Sequence, residues 1–143
     1  MITPITPADR GRWAELWTAH LACHRTSVPP ETYDATWDRI MAGGPIHGLA
    51  WRQDGRLTGL VHYLFHDHAW SPHPACYLQD LYVRPAARRA GAGRALIAAV
   101  ADAARARGAT VLYWLTQEDN PAGQALSDQI AKRTGSIRYD YPL

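Results

Sequence analysis

A strand that runs into a glycine turn and then a helix leaves few folds open to a chain, and residues 76 to 107 read as that unit. Cys76-Tyr-Leu-Gln-Asp-Leu-Tyr-Val83 is rich in β-forming residues and stops at Arg84-Pro85. Arg88-Arg-Ala-Gly91-Ala-Gly93-Arg94 follows as the turn. Ala95 to Arg107 is then alanine-rich, with Leu96, Ile97 and Val100 at helical spacing and Gly108 as a C′ residue. Thr110 to Thr116 reads as a short, nearly all-apolar strand of the kind buried on both faces. Asn120-Pro121 is an N-cap followed by a first-turn proline, which starts a last helix running to about Arg133. Thr134-Gly135 ends that helix, and Ile137 to Tyr141 closes as a strand.

The amino-terminal half supplies what such a unit packs against. Thr6-Pro7-Ala8-Asp9 combines an N-cap, a proline at the first helical position and an acid at the third. Trp13, Leu16, Trp17, His20, Leu21 and His24 then recur at three- and four-residue spacing until Ser27-Val28-Pro29-Pro30. A second helix carries Tyr33, Trp37, Ile40 and Met41 and ends at Gly43-Gly44-Pro45. His47 to Arg52 turns through Asp54-Gly55 into Leu57 to His66, a hairpin, and Ser71-Pro72-His73-Pro74 marks a loop before the Ala75 strand. The order predicts one domain over residues 1–143, of the α/β (α+β) class, with a mixed central sheet flanked by about four helices.

Charge and cysteine usage remove several function classes. Lys and Arg number 15 against 13 Asp and Glu, so no basic excess favours nucleic acid or an acidic membrane surface. Cys23 and Cys76 are too few for a disulfide framework and lack metal-site spacing. No apolar run approaches the ~20 residues of a membrane span. Met1-Ile2-Thr3-Pro4 does not open a secretory signal, and the expected compartment is the cytoplasm.

The turn from Arg88 to Arg94 is built for an anion. Main-chain N–H groups at a helix start are unpaired and carry the positive end of its dipole. Gly91 and Gly93 allow close approach, and Arg88, Arg89 and Arg94 add charge, so the spacing predicts a bound phosphate or pyrophosphate. A dinucleotide fingerprint needs a third glycine where Leu96 stands, and a P-loop needs Gly-Lys-Ser/Thr, which is absent. Arg88-Arg89-Ala90-Gly91-Ala92-Gly93 instead matches Gln/Arg-x-x-Gly-x-Gly/Ala, and in this context it resembles the GNAT (Gcn5-related N-acetyltransferase) superfamily. Cys-Tyr-Leu-Gln-Asp-Leu and Tyr-Trp-Leu-Thr look like its branch of yeast histone, polyamine and D-amino-acid acetyltransferases.

The resemblance implies an acetyl-CoA-dependent N-acetyltransferase. It places a strand bulge, with main-chain N–H groups for the thioester and the pantetheine arm, at Leu81, Tyr82 and Val83. It places the pyrophosphate on Arg88, Arg89, Ala90, Gly91, Ala92, Gly93 and Arg94, and a contact to the cofactor arm at Asn120. The reaction it implies is direct attack of a neutral amine on the thioester, with the oxyanion held near Leu81 and no covalent enzyme intermediate. An alkyl amine has a pKa near ~10.4, so its proton needs an acceptor, and Asp80, Glu118 and Asp119 are the candidates. Polyamine acetyltransferases similar to this chain have Glu where Gln79 stands, and glutamine is no base. Where many members carry a tyrosine to protonate the leaving thiolate, this chain has Ser127. A thiol of pKa about 8.5 leaves tolerably unaided, so slowed turnover is expected, with Ser127→Tyr faster.

Plainer readings accompany these. Asp80 equally suits a sheet residue paired with an arginine or capping a bulge, and Glu118 and Asp119 suit loop charges. His62, His66, His68 and His73 suggest zinc, but outward histidines alternating on a strand explain the first three, and no metal is expected. Tyr33, Trp37, Trp70 and Trp114 fit core, interface or the wall of an acceptor pocket. The expected partner is a small-molecule or peptide amine, with no nucleic acid and no membrane, and the family resemblance implies a homodimer. The alternatives are an acyl-CoA-binding module with little or no catalysis, motivated by Gln79 and Ser127, and a histidine-rich metal-binding domain.

Overall fold

The computed structural model describes residues 1–143. Its first strand, β1 (Ile2–Pro4), has no signature in the sequence and pairs antiparallel with a later strand. The helix start after it is as predicted. Asp9 Oδ2 accepts the Thr6 N–H at 2.8 Å and the Thr6 hydroxyl at 2.9 Å, and a 3-10 turn over Pro7–Asp9 leads into α1 (Arg10–Cys23). Arg52 grips the same carboxylate with two N–H groups at 2.7 and 3.0 Å, which ties the helix entry to the sheet. α2 (Pro30–Met41) then starts on a proline, and β2 (His47–Gln53) and β3 (Arg56–His68) form the expected hairpin. Asp54 and Gly55 take φ of 48° and 74°, the left-handed pair that a two-residue turn requires.

β4 (Ser71–Val83) begins four residues before the predicted strand, so the 71–74 loop is corrected to sheet and the turn shrinks to Ala69 and Trp70. Pro72 and Pro74 are tolerated because this stretch of β4 has β3 on one side only, where a missing N–H breaks no second ladder. α3 (Ala92–Ala106) starts three residues earlier than expected, and α4 (Pro121–Ile130) ends before Arg133. Two further expectations fail together. β5 (Val111–Tyr113) is a short outer strand with Val111 41% and Tyr113 37% exposed, and residues 131–143 carry no strand at all. With nothing pairing on its far side, β5 cannot be the doubly buried strand its composition suggests.

The sheet runs β1-β2-β3-β4-β5, antiparallel except for the parallel pair β4–β5. α1 and α2 cover one face, with Trp13, Leu16, Trp17 and Ile40 packed on Leu57, Leu60 and Tyr82. α3 covers the other, with Leu96, Ile97 and Val100 on Val61, Tyr63, Cys76 and Leu78, and Leu126 and Ile130 of α4 join that layer. Four helices thus flank one mixed sheet, as the sequence predicts.

Candidate active site

Parity along β4 decides which side chains meet. His62 pairs with Asp80 and Tyr63 with Leu78, so Gln79 is an extra residue on β4 and forms a bulge. Side chains alternate across a strand, and one inserted residue reverses the alternation beyond it. Cys76 and Leu78 therefore face α3, whereas Asp80 and Tyr82 face α1. The bulge lies at Gln79, two residues ahead of the predicted place at Leu81, Tyr82 and Val83.

Asp80 is the centre of a buried polar cluster that the sequence does not announce. Its Oδ2 accepts from His62 Nδ1 at 2.9 Å and Trp17 Nε1 at 3.2 Å, and its Oδ1 lies 3.1 Å from His20 Nε2. Burial alone would raise this carboxyl, but the hydrogen bonds from His20 and His62 prevail and hold it well below the usual carboxylate range. Trp13 Nε1 donates to His62 Nε2 at 2.8 Å, which puts the His62 ring proton on Nδ1. His62 is 1% exposed, so the expectation of outward strand histidines is corrected for this residue. Only His66 and His68 are partly exposed, and His66 meets the Tyr113 hydroxyl at 2.8 Å. No group of three or more His, Cys, Asp or Glu is arranged to hold a metal ion.

The pairing of β4 with β5 ends at Tyr77 and Tyr113, and beyond it the two segments part around a cleft of about 760 Å³. Arg84 N–H donates to Thr58 O on β3 at 2.9 Å. Since N–H groups alternate between the two edges of a strand, those of Tyr82 point to β3, and those of Leu81 and Val83 to the open edge. Arg88 Nε donates at 2.8 Å to Val83 O, which marks the same edge as free of the sheet.

The second wall is the start of α3. Gly91 takes φ 75° as its N-cap and makes no side-chain cap, and Arg89 also has positive φ, 71°. The first helical bond runs from Ala95 N–H to Gly91 O at 2.9 Å, so the N–H groups of Ala92, Gly93 and Arg94 have no helical partner. Gly93 allows α3 to approach α4, since a Cβ there would stand 3.2 Å from Leu126 Cδ2. Arg94 adds a bond to Gln129 at 2.7 Å. On the third side Asn120 caps α4 through Gly123 N–H at 3.0 Å, and Gly123 has no room for a Cβ beneath the Asn120 amide.

Leu81, Tyr82, Val83, Arg88, Arg89, Gly91, Ala92, Gly93, Arg94 and Asn120 all line this one cleft, and Ala90 lies off it. His20, Cys23, His24 and Arg25, from the end of α1, also line it. Asp80 does not, and touches the cleft only through His20. Among the other candidate bases Asp119 lines the cleft 3.9 Å from Arg25, whereas Glu118 lies outside and exposed. Ser127 is also outside the lining. Its hydroxyl accepts the Trp114 indole N–H at 2.9 Å, so the structure does not bring it to the cleft as a truncated proton donor. The residue that sequence reasoning missed is His20. Its helical spacing marks it as core, and only the bulge that turns Asp80 towards it distinguishes it.

An open strand edge facing a free helix start across one cleft can hold an extended ligand with an anionic end, and comparison with known proteins supplies the class. The acetyltransferase (GNAT) family model matches residues 13–129. The D-amino-acid N-acetyltransferase HPA3 of Saccharomyces cerevisiae is 32% identical over 145 residues, covering 97% of this chain and 88% of that protein. Among solved structures, a ribosomal-protein-alanine N-acetyltransferase from Brucella melitensis biovar Abortus 2308 superposes with a TM-score of 0.80 at 23% identity, over 100% of this chain and 99% of the other. The aminoglycoside enzyme AAC(6')-Iy with a CoA bisubstrate analogue gives 0.87 at 18% identity, over 100% and 97%. These two show the shared fold. The chain belongs to the acetyltransferase (GNAT) family. It is an N-acetyltransferase, which transfers an acetyl group to an amine.

Proposed function

We propose that the donor is acetyl-CoA, and that the acceptor is the primary amine of a small molecule, an amino acid first among them. The observation that carries this is the pair of sheet-free N–H groups at Leu81 and Val83, which share a cleft with the free N–H groups of Ala92, Gly93 and Arg94. The pyrophosphate rests on the α3 start with Arg88, Arg89 and Arg94, and the pantetheine arm runs along β4 past Asn120. The thioester carbonyl then meets the open edge of β4, where an N–H stabilises the oxyanion that forms on amine attack. Binding and orientation supply the catalysis, and no covalent enzyme intermediate is needed. His24 and Arg25 at the cleft are placed for the carboxylate of an amino acid, and the yeast relative is named for D-amino acids.

The test is release of CoA thiol from acetyl-CoA with D- and L-amino acids, polyamines, aminoglycosides and basic peptides offered in parallel. Turnover with amino acids supports the reading, and turnover confined to polyamines or peptides moves the acceptor class. Heat protection by acetyl-CoA with no turnover on any amine would favour a binding module.

Residues 1–143 are read as one N-acetyltransferase domain, cytoplasmic, with both cysteines as free thiols. The chain is further read as a homodimer. Ile137, Tyr139, Tyr141 and Leu143 alternate as a strand does yet stand in solvent, and β5 has an open outer edge. A second copy that pairs its tail with β5 would cover both.

A further inference from the structure

We infer that His20 is the group that takes the proton from the acceptor amine, with Asp80 holding its ring in the working tautomer. This rests on the reading of the cleft as the site of acetyl-CoA and amine. His20 is 7% exposed on the last turn of α1, and it lines the cleft beside Leu81 and Tyr82, with its ring 6.1 Å from that of Tyr82. An ionised carboxylate only accepts hydrogen bonds, so the contact between Asp80 Oδ1 and His20 Nε2 places a proton on Nε2. The lone pair of the neutral ring is then on Nδ1. That nitrogen has no partner in the protein. The buried side-chain polar atoms that are both sealed from solvent and unpartnered are Trp51 Nε1 and His68 Nε2, so His20 Nδ1 reaches solvent, and the surface His20 exposes is in the cleft.

The other candidates are worse placed. Three donors occupy the two oxygens of Asp80, and Glu118 is exposed and does not line the cleft. Asp119 lies beside the Arg25 guanidinium. The charged and titratable groups about His20 are Asp80 and Tyr82 of β4, His62 of β3 behind Asp80, and His24 on its own helix, 4.6 Å ring to ring. Asp119, Arg25 and Arg88 stand farther round the cleft. In the step this geometry supports, an ammonium gives one proton to Nδ1, directly or through a water, and the freed nitrogen lone pair forms the C–N bond. The oxyanion collapses and the C–S bond breaks. The second proton of the attacking nitrogen leaves with the thiolate as CoA thiol, and His20 returns its proton to solvent.

The experiment compares wild type with His20→Ala and His20→Gln, reading kcat, the KM for acetyl-CoA, the pH profile and heat protection by CoA, with and without added imidazole. A general base contributes about a hundredfold or more. The expected result is a kcat loss of about that size in both variants, an unchanged KM for acetyl-CoA, intact CoA protection, and recovery of His20→Ala by imidazole. Asp80→Asn, a change at a positioning residue, should lower kcat without imidazole rescue, because an amide can donate to Nε2 and put the ring proton on Nδ1. Variants within about threefold of wild type would overturn the inference, as would a loss that imidazole does not restore and that leaves the pH profile unmoved. Wild type that neither turns over nor is protected by CoA would sink the reading of the cleft itself, and the inference with it.

Discussion

His62 on β3 and Asp80 on β4 stand directly opposite each other, Nδ1 to Oδ2 2.9 Å, although Leu78, only two residues before Asp80, lies on the other face of the sheet. The single inserted residue Gln79 makes both true. Deleting Gln79 should return Asp80 to the α3 face among Val61 and Leu96, stranding a carboxylate in an apolar layer and leaving His62 and His20 unpaired. A loss of about 3 kcal/mol or more and of all turnover is expected, whereas Gln79→Ala, which keeps the residue count and removes an exposed amide, should stay within about 0.5 kcal/mol. Thermal melting and the thiol-release assay on the two variants check this.

The hydroxyl of Ser127 is committed to Trp114, which changes what a substitution there should do. Ser127→Ala should cost about 1 kcal/mol by orphaning a half-buried indole N–H, with kcat moved by less than about twofold. Ser127→Tyr should lower the melting temperature without raising kcat. A faster Ser127→Tyr would restore the view that a missing thiolate donor limits the rate.

Arg88 combines a bond to Val83 O with a place beside the α3 start. Arg88→Ala should raise the KM for acetyl-CoA by about tenfold with little change in kcat, the mark of binding lost equally from ground and transition states. Acetylpantetheine lacks the pyrophosphate, so with that donor wild type and variant should differ little. Equal penalties with both donors would show that Arg88 acts on β4 instead.

Acid should weaken the fold through Asp9. Hydrogen bonds from Arg52 first, then from Thr6, hold its carboxyl below the ordinary 3.8 despite burial. A group whose folded pKa is depressed adds stability that is present above its unfolded value and lost as pH falls through the folded one. Melting temperature should therefore fall steeply below about pH 4, and the gap between wild type and Asp9→Asn should narrow over the same range. Melts across that range, read side by side, are the check.

Removal of residues 136–143 should leave the α3 start intact, since none of them lines the cleft. Light scattering should show a monomer where the full chain is a dimer, with heat protection by CoA retained. A full chain that is already monomeric would end the dimer reading.

What sequence alone determined is local. The Thr6 and Asp9 capping pair, the Asp54-Gly55 turn and the Asn120 cap are each written in neighbouring residues, because turn and cap geometry depends on a few adjacent dihedrals and donors. The glycine turn at Gly91 between β4 and α3 was legible for the same reason, and the order of elements around it was enough to indicate the fold. What tertiary structure decided is register and company. A bulge of one residue has no composition signal, yet it chooses the face of Asp80 and so joins His20, His62, Trp13 and Trp17, residues up to 67 positions apart, into one polar cluster. Likewise Thr110 to Thr116 reads as buried on both faces by its composition, but burial belongs to what lies alongside: Leu112 and Trp114 pack on the core, while Val111, Tyr113 and Leu115 face solvent. Periodicity tells which residues share a face; only the paired sheet tells what that face meets.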